Sequence, residues 1–251
     1  RGGDPDLGRA GLGTIFVKSA GNDRRGPDAS RREETPSEAM DSAAETITAA
    51  AARVDGWISR YSSPGASVLI TAPVDTTSNG WGVFTTDRVG GPGYGGGDYA
   101  NFAGTSAAAP MIAGVVALML EANPGLGWRD VQSILAASAR HVGSAVGAPA
   151  NAGAPSGGAY EQAPAWGGGT WAWNGATTWN GGAMHFSNDY GYGMVDATAA
   201  VRLAESWTAE DMLYEITGAE AIEGVAFDAS MQKWKREQGG ETQTWWPWEI
   251  R

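Results

Sequence analysis

From Ala107 to Leu120 the chain carries no polar side chain, and the short run Gly104-Thr105-Ser106 leads into it. A helix made from such a run has no face to offer to water, so other structure must cover it. At fourteen residues the run is shorter than the ~20 needed to cross a bilayer, and it reads as a core helix with no membrane span. Asn123-Pro124-Gly125 is a strong stop behind it. The rest of the chain must therefore supply a sheet or helices large enough to bury this element.

The stretch from Thr14 to Ser19 is β-rich and is closed by Ala20-Gly21-Asn22, so it reads as a buried strand that delivers a loop at its C-terminal end. In an open parallel sheet that end is where ligands bind. "TITAAAARV" gives a second strand, and a turn at Ser63-Pro64-Gly65 leads to a third from Ser67 to Thr71. A glycine-rich loop from Val89 to Gly97 precedes the apolar helix. After it, "WRDVQSILAASAR" places Val131, Ile134, Leu135 and Ala139 at helical spacing, and Asp196 is positioned to cap a last helix. Alternating strand, loop and helix argue for an α/β fold with a mostly parallel sheet.

A length of 251 residues suits one sizeable α/β domain or two small ones. The net charge of −11, with no basic cluster longer than "RREE", argues against nucleic acid as a partner. An acidic surface favours basic peptides or hard cations such as calcium. The absence of cysteine excludes disulfides, thiolate metal sites and a cysteine nucleophile. The opening "RGGDPDLGRAGLGTIF" shows neither an initiating methionine nor a signal peptide and looks cut from something longer. "WAWNGATTWNGG" is either a stacking platform for a ligand, such as a carbohydrate, or an anchor pinning a long loop to the domain. Beyond Trp207 the tail shows no clear period, which suggests domains at 1–207 and 208–251, the second a truncated appendage or unstructured.

Ser106 stands where a glycine turn meets a helix, so its N–H is one of the unpaired donors of a helix start and the positive end of the dipole points the same way. Pro110 lacks the N–H that would bond the Ser106 carbonyl, and Ala107, Ala108 and Ala109 leave room for a substrate backbone. Two readings are open: a nucleophile, or a Thr105 or Ser106 that merely caps the helix. Acyl transfer needs a second oxyanion donor, and Asn22, at a strand end, is the candidate, with an ordinary turn residue as its other reading.

The segments "NFAGTSAAAPMIAGVVALMLEANPGLGWRDVQ", "GRAGLGTIFVKSAGN", "ISRYSSPGASVLITAP" and "SNDYGYGMVDATAAVRLAESW" together resemble subtilisin-like serine peptidases, in particular the kexin and proprotein convertase branch. They occur in the family's order. The resemblance implies a subtilisin-like three-layer α/β fold, incomplete at its N-terminal side, with Ser106 as nucleophile and the Asn22 side chain plus the Ser106 N–H as oxyanion hole. It also implies a polypeptide substrate and a secreted or cell-envelope location.

In that family the acid and the histidine base lie upstream of the oxyanion asparagine, and here no histidine precedes Asn22. His141 and His185 lie downstream and do not match the base motif, and Asp4 and Asp6 lack the context of the triad acid. The resemblance therefore implies a missing N-terminal half and a chain inactive by itself, or a peptide-binding remnant of the fold. It further implies Glu38 or Glu33, beside Glu34, as recognising a basic side chain at the cleavage site. Asp28 falls where a calcium ligand would be, although Ser63 stands in place of the expected glutamate.

Overall fold

The computed structural model describes residues 8–24, 35, 39–76, 82–143, 172–173, 184–207, 225–228, 233–238 and 241–245. Strands β1 (Phe16–Ser19), β2 (Thr46–Arg53) and β3 (Val68–Asp75) pair in parallel in the order β1-β2-β3. Alanine is a poor strand former, yet Ala49 to Ala52 of β2 are wholly buried, because the strand is covered on both faces as parallel strands usually are. On one face Ala49 and Ala51 join Ile47, Ile70, Ala72 and Val74 in the main core. On the other, Ala50 and Ala52 pack with Ile58, Tyr190 and Met194. Small side chains here let both covering layers approach closely.

Helix α1 (Thr105–Ala122) lies on the first face and touches β1, β2 and β3, burying Ala107, Ala108, Ile112, Val115, Val116 and Met119. Its outer side keeps Met111 37% and Leu118 50% exposed, so among the described residues the helix is covered on one side rather than all round. The element also exceeds the apolar run that announces it: at 18 residues and a mean hydropathy of 1.6 it is long and apolar enough to cross a membrane by length and composition.

Helices α2 (Trp128–Ser138) and α3 (Ala197–Ser206) pack together on the same side. Asp130 accepts the Gly127 N–H at the start of α2 and the Trp207 indole N–H, so one buried carboxylate ties both helices. Asp196 caps α3 through the Ala199 N–H, as its position in the sequence suggests. Gly191, at φ +63°, lies against β3, and a Cβ there would stand 2.3 Å from the Leu69 carbonyl oxygen.

The third strand runs to Asp75, past the Thr71 limit read from the sequence. Pro73 does not end it, because Thr71, two residues earlier, turns its N–H outward to Gly193; position 73 faces the same way, and no ladder bond to β2 is lost. Strands β4 (Val83–Thr86) and β5 (Tyr99–Phe102) form an antiparallel hairpin around the glycine-rich loop, which the sequence reading leaves as loop alone. β6 (Ala172–Trp173) pairs with β7 (His185–Phe186), and the rest of the tryptophan-rich repeat lies outside the described residues.

Contacts divide the chain into units Arg1–Trp207 and Thr208–Arg251. Within the second, β8 (Val225–Asp228), β9 (Lys233–Gln238) and β10 (Glu241–Trp245) form an antiparallel sheet in the order β10-β9-β8. The tail is thus not without strands. Runs such as "KWKREQ" and "ETQTW" carry too little apolar alternation to announce them.

Candidate active site

Gly104 precedes α1 with φ +91° and ψ 165°, a backbone region open essentially to glycine alone. That conformation starts the helix abruptly and leaves Ser106 exposed at its first turn. Asn22, in the loop that leaves β1, faces the same turn. Its Oδ1 accepts the Thr105 N–H and the Thr105 hydroxyl, each at 3.0 Å. Since an N–H can only donate, the carboxamide oxygen is committed to Thr105 and the Asn22 NH2 is left as a donor. A Cβ built on Gly104 would stand 3.5 Å from Asn22 Oδ1, 3.7 Å from its Nδ2 and 3.8 Å from the Ser106 nitrogen. The hollow above Gly104 therefore lies between a carboxamide donor and a helix-start N–H, the arrangement that stabilises negative charge developing on an oxygen.

The structure thus brings Ser106 and Asn22 to one turn, although 83 residues separate Asn22 from its partner Thr105. Glu33, Glu38, Asp28, Asp4 and Asp6 lie outside the described residues. His141 and His185 stack on one another at 4.9 Å, and His185 donates to the Tyr192 backbone. Burial, reinforced by the neighbouring His141, holds the His185 imidazole below its ordinary pKa.

A buried ion pair that the sequence does not reveal anchors the loop behind Asn22. The Arg24 guanidinium binds the Asp189 carboxylate and, through Nε, the Ser62 carbonyl at 2.6 Å. The Arg24 N–H reaches the Tyr61 carbonyl, the Ser63 N–H reaches Gly21, and Ser63 Oγ accepts the Asp23 N–H. The calcium candidate Asp28 lies outside the described residues. At the position where a glutamate is expected Ser63 accepts the Asp23 N–H, a guanidinium bridges the two segments, and no group of three or more acidic, histidine or cysteine side chains stands together among the described residues.

The subtilase family model matches residues 5–193, and the chain belongs to that family. Proprotein convertase subtilisin/kexin type 5 of Branchiostoma californiense is 33% identical over 200 residues, covering 80% of this chain and 10% of the relative. Furin of Mus musculus is 31% identical over 201 residues, covering 80% and 20%. The serine protease of Aeromonas sobria superposes with a TM-score of 0.62 at 24% identity, over 80% of this chain and 38% of the other. The fold is subtilisin-like and the relatives are of the kexin and furin branch. The chain spans a fifth or less of the length of these two relatives.

Proposed function

We propose that the chain carries the nucleophile and oxyanion hole of a serine endopeptidase, with the histidine base and its orienting aspartate absent from this chain. The observation that supports this most directly is the Asn22 carboxamide locked by Thr105 beside the Ser106 N–H. In the proposed reaction Ser106 Oγ attacks a peptide carbonyl, its proton passes to the base, and the oxyanion sits between the Asn22 NH2 and the Ser106 N–H. Collapse of that intermediate expels the amine, which takes the proton from the base, and water then releases the acyl group by the same steps.

Within this reading the substrate is a polypeptide, Glu33 or Glu38 favours a basic residue at the cut, α1 is a core helix rather than a membrane span, and the location is secreted or cell-envelope by family resemblance. A serine hydroxyl without its base is a weak nucleophile, so the chain alone is proposed to be inactive. Free imidazole can stand in for that base. Phosphonylation of Ser106 by a fluorophosphonate, followed by mass spectrometry, is expected to be negligible in buffer and to appear with imidazole. It should vanish in Ser106→Ala and fall ~10² to 10³-fold in Asn22→Ala, the usual cost of one oxyanion donor. Labelling that survives Ser106→Ala would remove the assignment. A second reading, a peptide-binding remnant, draws on the two histidines, both downstream of Ser106 and neither matching the family's base motif, and no labelling of the wild type under any condition would favour it.

A further inference from the structure

The turn before α1 is held by a second side chain. Gly104 donates its N–H to the Tyr61 hydroxyl at 2.9 Å, and the same hydroxyl donates to Asp75 Oδ1 at 2.9 Å. The other Asp75 oxygen accepts the Ser59 hydroxyl at 2.5 Å, and the Ser59 N–H is itself fixed on the Ala51 carbonyl. Asp75 is 1% exposed, at the end of β3.

A phenol owns one proton. With that proton committed to Asp75, the oxygen presents only lone pairs to Gly104, so the direction of both bonds is fixed. Burial pushes the Tyr61 hydroxyl up to about 12, which keeps it protonated and able to bond Asp75 throughout the neutral range.

Two consecutive N–H groups of the turn are therefore each consumed by a side chain: Gly104 by Tyr61 and Thr105 by Asn22. The next one, on Ser106, has no carbonyl four residues back within the helix to accept it. We infer that Tyr61, oriented by Asp75, is a positioning residue: by holding the Gly104 N–H it fixes the peptide before the nucleophile and aims the Ser106 N–H at the hollow above Gly104. The inference rests on the peptidase reading for its catalytic meaning and on the hydrogen bonds alone for its geometry. Three strand ends share the task, β1 through Asn22, β2 through the Ser59–Tyr61 segment and β3 through Asp75.

The test uses the whole chain. In the wild type, NMR is expected to show the Tyr61 hydroxyl proton with a cross-peak to the Gly104 amide proton. Its absence, with the hydroxyl proton observed elsewhere, would overturn the assignment without any substitution. Tyr61→Phe keeps the ring and removes the oxygen. Exchange of the Gly104 amide should accelerate about tenfold, the scale of one ordinary hydrogen bond. The Ser106 amide resonance should shift, while exchange at the buried Ile134 and Leu135 in α2 stays as in the wild type. Asp75→Ala should add little in the Tyr61→Phe background if Asp75 acts through Tyr61. Unchanged Gly104 exchange, or additive effects of the two substitutions, would refute the proposal.

Imidazole-driven fluorophosphonate labelling is the catalytic arm. Tyr61→Phe is expected to lower its maximal rate about tenfold at an unchanged half-saturating probe concentration, and an unchanged rate would refute the positioning role. Failure of the wild type to label would count against the peptidase reading instead, leaving the amide measurements to decide the geometry.

Discussion

Gly104→Ala is expected to suppress labelling of Ser106 by ~10² to 10³-fold, as much as deleting an oxyanion donor, while the chain still folds. The added methyl would sit 3.7 Å from Asn22 Nδ2 and 3.8 Å from the Ser106 nitrogen, ordinary contact distances that force nothing apart. It would nevertheless occupy the hollow in which the charged oxygen is proposed to lie. A second effect is separable. At φ +91° and ψ 165° any side chain strains the backbone by ~1–3 kcal/mol, which lowers stability without abolishing the fold. Urea denaturation followed by near-ultraviolet circular dichroism measures the strain, and the labelling rate at low denaturant measures the site. Labelling at the wild-type rate in a folded Gly104→Ala protein would show that charge does not develop above Gly104.

Asp189→Ala is expected to have the largest effect on stability, about 3–5 kcal/mol, the usual cost of stranding one partner of a buried ion pair. The Arg24 side chain is 6% exposed and that of Asp189 is wholly buried. Asp189 Oδ2 has no hydrogen-bond partner among the described residues, so Arg24 carries the compensation for that carboxylate there. Removing both charges together, as in Arg24→Met with Asp189→Leu, should recover most of the loss, because the desolvation penalty disappears with the pair. Denaturation midpoints of the single and double variants check this. An Asp189→Ala protein as stable as the wild type would mean that water reaches Arg24 and that the pair is not the anchor of the Asn22 loop.

Much of the fold was legible because it depends on local pattern. The apolar stretch after Ser106 read as a helix in need of cover, and α1 buries one side of it on the sheet; the β-rich run closed by Ala20-Gly21-Asn22 read as a strand followed by a loop. Asp196 could be read as a cap because capping acts within one turn. Where the sequence reading fell short, the pattern was overruled or absent. Pro73 marks a break by its chemistry, yet lies harmlessly on the outward side of β3. The hairpin of β4 and β5 hides behind four-residue strands, and the short strands after Thr208 lack apolar alternation.

The sequence by itself marked which groups are candidates to react. A hydroxyl at a helix start and a carboxamide at a strand end are chemical facts of Ser106 and Asn22, readable from their neighbours. Only the tertiary structure decided what orients them. Asn22 and Tyr61, the latter held by Asp75, reach the turn at Gly104 and Thr105 from separate strand ends, and Arg24 meets Asp189 across 165 residues. Such partners are chosen by where parallel strands terminate together in space, and no spacing along the chain encodes that convergence.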